Sequence, residues 1–295
     1  MERASRRITL ASGSVLAAGL MVALFAVGQP TALAAGSPSS SASPPAPSSS
    51  PTPTSSPTPT PSPTPTSSPS PSPAPSPVGK AFIGTAAVGA LFTVIDGHWR
   101  HFCTAAVVHS PKGNLVITAA HCITGKKLGT KGDVYFAPGY NNGHYPKGRW
   151  TVMSAVMDSK WLTKRNPNDD VAFLVVGKPG QKVEKSTGAE TLGIDVSLPQ
   201  TSEVIGYPDR TNEPIRCTAP ARQFHKPGYR QIVFDCGAFT GGTSGGPFLI
   251  HVGHSGTGEI IGVIGGYQLG GDNPAISYSP RFLANVEDLY KKAIA

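Results

Sequence analysis

Three short segments carry residue types that could do chemistry together: Gly242-Thr243-Ser244-Gly245-Gly246, Thr118-Ala119-Ala120-His121-Cys122 and Asn168-Asp169-Asp170-Val171-Ala172. A serine hydroxyl is a poor nucleophile at neutral pH, so it needs a base within hydrogen-bond reach, and a histidine titrating near pH 6.5 suits that task. A buried carboxylate can then fix the tautomer of the imidazole and steady the imidazolium. Each segment alone carries little, because a glycine-flanked serine often marks only a tight turn and a histidine beside a cysteine often only packs. Their joint presence, in the order His121, Asp169 or Asp170, Ser244, is what points to nucleophilic acyl transfer.

These groups must be positioned by the 218 residues from Val78 to Ala295, enough for one large all-β domain or two closely packed barrels. Short apolar or alternating runs separated by glycine, proline and asparagine predict strands at 88–95, 102–108, 115–119, 134–137, 151–157 and 171–176. After a loop at Pro179-Gly180 they resume at 201–205, 216–219, 231–234, 247–252, 260–267 and 275–278. No long amphipathic helix separates them, which argues against a parallel α/β architecture and for antiparallel barrels or sandwiches. At the C-terminus, Phe282, Leu283, Val286, Leu289, Tyr290 and Ala293 recur at three and four. This predicts an amphipathic helix packed on the last strands, with Ser279 as N-cap and Pro280 at its first position.

T-A-A-H-C around His121, D-V-A-F-L from Asp170 and G-T-S-G-G around Ser244 resemble the trypsin and chymotrypsin family of serine endopeptidases, in its bacterial secreted branch with the glutamyl endopeptidase-like relatives included. The resemblance runs from about Val78 to the terminal helix. It implies two antiparallel six-stranded β-barrels with a C-terminal α-helix and a site in the cleft between the barrels. It also implies catalytic roles for His121, Asp170 and Ser244, an oxyanion hole from the N–H groups of Gly242 and Ser244, and a bridge between Cys103 and Cys122. Asp170 is chosen over Asp169 because it directly precedes the apolar strand, as the family's aspartate does; strand alternation then turns Asp169 the other way, as a solvated acid or turn cap. His251 and His254 follow the serine closely enough to border the cleft.

The pattern departs from the family at Thr243, which stands where enzymes matured by cleavage carry an aspartate that pairs with a freed amino terminus. A hydroxyl offers no such ion pair, and no Ile-Val-Gly-Gly start occurs near Val78. The substrate pocket is expected from Ala238, Thr240, Ile264, Gly265 and Gly266; it has no clear acid at its base, which suits a small or apolar side chain and leaves Glu open. Gly242 to Gly246 also fits the G-x-S-x-G elbow of α/β-hydrolases, but that fold needs its acid and histidine after the serine, and only 51 residues follow Ser244. The rival from another class is a catalytically idle barrel serving as a stalk-borne cell-wall or protein-binding module.

Residues 1–35 have the layout of a secretory signal peptide: Arg3, Arg6 and Arg7, then an apolar stretch of 14 residues from Val15 to Gly28, with Ala32-Leu33-Ala34 beyond. That stretch is short against the roughly 20 residues of a membrane-crossing helix, so no lasting membrane span is expected. Ser5-Arg6-Arg7 followed by Ile8 and Leu10 resembles a twin-arginine export signal, a pairing also common in ordinary n-regions. Residues 36–77 contain only Gly, Ser, Ala, Pro and Thr, with 16 of the 30 prolines. Such a segment cannot bury a core and favours polyproline II, reaching at most about 130 Å, so it reads either as a disordered stalk through a cell wall or as a featureless leader.

The four cysteines, Cys103, Cys122, Cys217 and Cys236, lie behind that signal and suggest disulfides; three pairings are open, and two local bridges are the simplest. A zinc site lacks the close C-x-x-C pairs it usually uses. The formal charge of +8 falls to +6 without Glu2, Arg3, Arg6 and Arg7, and Lys126, Lys127 and Lys131 read as a solvated turn. The expected partners are therefore protein or peptide substrates of a secreted monomer, with no nucleic acid, metal or cofactor.

Overall fold

The computed structural model describes residues 76–295, which lie within a compact unit spanning Pro69–Ala295. The segment 1–35 read as a signal peptide and nearly all of the Pro-rich segment fall outside the described residues. The chain joins the fold at once: Gly237 N donates to Pro77 O (2.8 Å) and Gly79 N to Gly237 O (2.9 Å). Strand β1 (Lys80–Ala81) follows, then β2 (Val88–Ile95), β3 (His98–Val108), β4 (Leu115–Thr118), the short helix α1 (Ala120–Ile123), β5 (Val134–Pro138), β6 (Trp150–Met157), α2 (Ser159–Lys164), a 3-10 turn (Pro167–Asp169) and β7 (Ala172–Gly177). The second half holds α3 (Val183–Thr187), β8 (Thr191–Leu192), β9 (Gln200–Gly206), β10 (Ile215–Phe224), β11 (Gln231–Asp235), β12 (Pro247–Ile250), β13 (Glu259–Val263), a 3-10 turn (Tyr267–Gly270), β14 (Ile276–Pro280) and α4 (Ala284–Ile294).

The first six long strands close into an antiparallel barrel in the order β2-β3-β4-β7-β6-β5. Its opening hairpin turns on Asp96-Gly97, both at positive φ, which matches the twist of the flanking strands. The second half forms an eight-stranded sheet, β14-β11-β10-β9-β12-β13-β8, with β1 added on β10. Its facing strands β13 and β14 are joined by two bonds rather than a ladder: Val263 N donates to Ser279 Oγ (2.8 Å) and Gly265 N to Tyr278 O (2.9 Å). The molecule is thus mostly β, as expected, with one closed barrel, a second curled sheet and a C-terminal helix.

Burial explains the strand patterns. Strand β10 alternates, with Ile215, Cys217, Ala219 and Ala221 buried and Arg216, Thr218, Pro220 and Arg222 exposed, because one face meets a core and the other water. Strands β2 and β4 are apolar on both faces because the barrel stands between two cores. Leu91, Phe136, Trp150 and Leu174 fill the barrel; Ile232, Phe234, Phe248 and Ile261 fill the second sheet. A third cluster lies between them, where Phe92, Ile117 and Phe173 meet Ile205, Leu249, Val263 and the helix residues Val286 and Leu289. The disulfides are the two local ones, Cys103–Cys122 and Cys217–Cys236, each worth on the order of 3 kcal/mol in the chain-entropy model.

The terminal helix starts later than the sequence predicts. Leu283 is its N-cap and no side chain caps it. Ser279 and Pro280 belong to β14, paired with Ile232 and Gln231. The Ser279 hydroxyl is committed there: it accepts from Val263 N and donates to Pro280 O, and those buried bonds outweigh a cap open to solvent.

Glu190 is an unexpected buried acid on the connection between the halves. Its backbone bridges to β3, its Oε2 accepts from Gly258 N (2.5 Å), and its Oε1 has no partner among the described residues. Burial, with the nearby charge of Glu203 adding, pushes the carboxyl from its ordinary 4.5 up to about 7, against the opposing Gly258 N–H. Because the folded pKa is raised, the folded state keeps a proton that the unfolded chain releases, and stability is lost as pH climbs from 4.5 through 7, by about 3 kcal/mol in all. Glu190→Gln is therefore expected to gain about that much on the wild type between pH 4.5 and pH 8, read by denaturant unfolding; an equal difference at both pH values refutes the assignment.

Candidate active site

Helix α1 is a single turn fixed on both sides. Cys122 is bridged to Cys103 on β3, and Thr124, just beyond, donates to Ala120 O and accepts from Trp161 Nε1 (both 2.8 Å). His121, between these anchors, keeps its ring partly exposed. Asp170 follows the 3-10 turn that Pro167 opens and Asn166 caps, and it is 0% exposed. Its Oδ1 accepts from His121 N (2.8 Å), while Oδ2 lies 2.8 Å from His121 Nδ1 and accepts from Gly266 N (2.8 Å). A carboxylate among N–H donors acts as acceptor throughout, so the hydrogen of the His121 contact lies on Nδ1 and Nε2 is left turned away from Asp170.

Ser244 sits on a turn that only glycine allows. Gly242 has φ +89°, and a Cβ there would lie 2.5 Å from Asp209 N and Tyr207 O. Gly245 has φ +80°, and a Cβ would overlap Thr118 Oγ1 and Thr104 O. The absence of that side chain presses the turn against the end of β4, three residues before His121. One residue of the barrel holds the whole assembly: Thr104 N donates to Ser244 O (2.7 Å), Thr104 Oγ1 donates to Gly242 O (3.0 Å) and accepts from Tyr207 N (2.8 Å), and Thr104 O accepts from Thr118 Oγ1 (2.7 Å). Among the described residues the N–H groups of Gly242 and Ser244 donate to no protein acceptor. Thr243, where an acid would signal activation by ion pairing, instead donates its hydroxyl to Thr240 O (2.6 Å) within the turn.

No hydrogen bond joins Ser244 to His121 among the described residues; they line neighbouring cavities that share Leu269. The cavity beside Ser244, about 250 Å³, is walled by Phe239, Thr240, Thr243, Ile264, Leu269 and the stretch Gly270 to Pro274. Of the pocket residues expected from sequence, Thr240 and Ile264 line it. Gly266 lines the His121 cavity, Gly265 backs onto Asp170, and Ala238 lies behind Phe239 at φ +77°. His251 is exposed beside Glu259, and neither it nor His254 lines either cavity.

Asp169 is not the solvated acid that strand alternation predicts. It is buried on the 3-10 turn, outside any strand, and accepts from Asn166 Nδ2 (2.7 Å) and from Asn285 Nδ2 of α4 (2.9 Å). Asn168 and Gln231 were also invisible from sequence: Gln231 Nε2 donates to Pro167 O and Asn168 Oδ1, and its Oε1 accepts from Tyr267 N, tying the Asp170 turn to the second sheet. Cys103, His121 and Cys122 have metal-like spacing, but both sulfurs are spent in the disulfide.

A barrel and curled sheet with an Asp-held imidazole and a glycine-framed serine at their seam are the features of a trypsin-like serine protease. The chain belongs to the trypsin family: the family model named Trypsin matches residues 87–294. A search of curated proteins by sequence finds no match. Similar solved structures include the protease Anisep from Arthrobacter nicotinovorans, 25% identical with TM-score 0.62, covering 74% of this chain and 99% of that one. A thermostable serine protease, AL20, from an extremophilic microorganism is 25% identical with TM-score 0.59, covering 71% and 97%. A Glu endopeptidase, 14% identical with TM-score 0.56 over 74% and 96%, shares the fold. No helix among the described residues is long and apolar enough to cross a membrane.

Thr104→Val keeps the shape of the side chain but strands Tyr207 N and Gly242 O in the interior. It is expected to lower stability by about 3 kcal/mol in denaturant unfolding, since a buried orphan costs roughly 1–3 kcal/mol; a loss below about 0.5 kcal/mol contradicts the bracing role.

Proposed function

We propose that this chain is a secreted serine endopeptidase acting through an acyl-enzyme. The observation that supports it most is the buried Asp170 holding His121 by both ring and backbone while Thr104 fixes the Ser244 turn on the same barrel. Ser244 Oγ attacks the peptide carbonyl as His121 Nε2 takes its proton; the resulting oxyanion is met by the free N–H groups of Gly242 and Ser244. His121 then returns the proton to the departing amine, and water repeats the sequence to release the acid. Each step is carried by groups of the chain itself, and no metal or cofactor is called for. In this reading residues 1–35 export the protein and are removed, 36–77 form a stalk suited to a cell wall, and 78–295 are the protease, a monomer acting on proteins outside the cell. Two disulfides fit that oxidising location.

The cavity beside Ser244 has no Lys, Arg or His on its walls, and its one charged residue is the exposed Asp272. An acidic substrate side chain would meet like charge there, so a small or medium neutral residue is favoured over Glu.

A fluorophosphonate probe is expected to label the wild type and spare Ser244→Ala. Asp170→Asn is expected to lower kcat/KM for a peptide substrate by about 10³–10⁴ while folding is kept, because the imidazole loses its imposed tautomer. A folded wild type that the probe leaves unlabelled rules the reading out.

A further inference from the structure

The Asp170 carboxylate is placed by two segments from different halves of the molecule. One is the turn that carries it, Pro167–Asp169; the other is the stretch Gly265-Gly266-Tyr267 beyond β13, whose Gly266 N donates to the same Oδ2 that faces His121 Nδ1. Both contacts are 2.8 Å, so the separation of the two segments decides where that oxygen stands between its donors. One side chain spans the gap.

Gln231, on β11 and fully enclosed, commits both sides of its amide. Its Nε2 donates to Pro167 O (3.0 Å) and Asn168 Oδ1 (3.1 Å), both in the turn before Asp170, and its Oε1 accepts from Tyr267 N (3.2 Å), one residue past Gly266. On the other side of Gly266, Gly265 N donates to Tyr278 O (2.9 Å), so the Gly266 N–H is bracketed by two fixed neighbours. The approach is close: Gly266 has φ +78°, and a Cβ there would overlap the Gln231 amide. Gln231 is itself held on a strand paired on both sides, opposite Phe224 of β10 and Pro280 of β14, and its O accepts from Gln223 Nε2 (3.1 Å). Glutamate of the same length accepts but, when ionised, cannot donate, and methionine does neither.

Resting on the protease reading above, we infer that Gln231 is a positioning residue for the acyl transfer: it acts on His121 through Asp170, by holding the Asp170 turn and the Gly266 donor at one separation. With the amide in place, Oδ2 is shared evenly between Nδ1–H and Gly266 N–H, and the imidazole is oriented by a carboxylate that cannot drift. Without it, turn and strand part. A reacting group displaced by about 1 Å costs on the order of 10²-fold in rate.

The test compares wild type with Gln231→Met and Gln231→Glu, and with Ile261→Val as a control that loosens the core of the second sheet without touching this network. Two readouts are taken: the split of kcat and KM on a peptide substrate, and the downfield proton resonance of the His121 Nδ1–H···Oδ2 bond. Both Gln231 variants are expected to lower kcat by about 10- to 100-fold with KM within about twofold, and to move the resonance upfield as that bond lengthens. Ile261→Val is expected to lower Tm while leaving kcat and resonance as in the wild type. Should Gln231→Met fail to fold, the same readouts on Gln231→Asn, whose amide is one methylene short, decide in its place. Folded Gln231 variants with unchanged kcat and resonance overturn the inference, as does a control that loses both in proportion to its Tm. A wild type that the fluorophosphonate never labels removes the protease reading, whereas a labelled wild type with unaltered variants removes this inference alone.

Discussion

A charge with no access to water holds the site together. The Asp170 carboxylate is completely enclosed, and an ion in that position is tolerable only when its lone pairs are met by donors. Two donors belong to His121 on the barrel and the third is Gly266 N of the second sheet. The seam between the two halves is thus closed around one anion, and a shift of either half would leave it partly unsatisfied. The apolar cluster around Ile117, Phe173, Ile205 and Leu249 supplies the adhesion, and the carboxylate supplies the register.

Supporting residues extend this logic outward. Asn168 and Gln231 stitch the turn before Asp170 to the second sheet, Asn285 ties neighbouring Asp169 to the terminal helix, and Thr104 carries the serine turn. All have their partners in place, and all but the half-buried Asn285 are buried, the condition under which such networks rigidify a fold rather than weaken it. Glu190, buried with one oxygen unmatched, lies outside that network, as do the unpartnered buried hydroxyls of Ser110 and Ser202.

Much of this was legible in the sequence. Each of the twelve long strands overlaps one of the alternating or apolar runs, although the run read as 260–267 leaves its strand at Val263, and the cysteines pair in the two local bridges. Strands β1 and β8, of two residues each, and the one-turn helices α1 and α3 are too short for any periodicity to register. Ser279-Pro280 has the chemistry of a helix start, yet a long-range bond to Val263 claims the hydroxyl. Asp169 was misplaced because strand alternation was extended into a 3-10 turn, and the cavity walls from Leu269 to Pro274 gave no signal because left-handed backbone at Gln268 and Leu269 is written in tertiary contacts.

The way the chain joins the domain has a mechanical corollary. Pro77 and Gly79 exchange backbone bonds with Gly237, and Gly79 lies so near Phe239 that a methyl group there would touch its ring at 3.4 Å. Phe239 is itself a wall of the cavity beside Ser244. Tension drawn along the approach to Gly79 is therefore delivered at once to Gly237 and to the core residues Ile215 and Phe239, which puts the entry of the chain and the wall of the Ser244 cavity in series as parts of one load path.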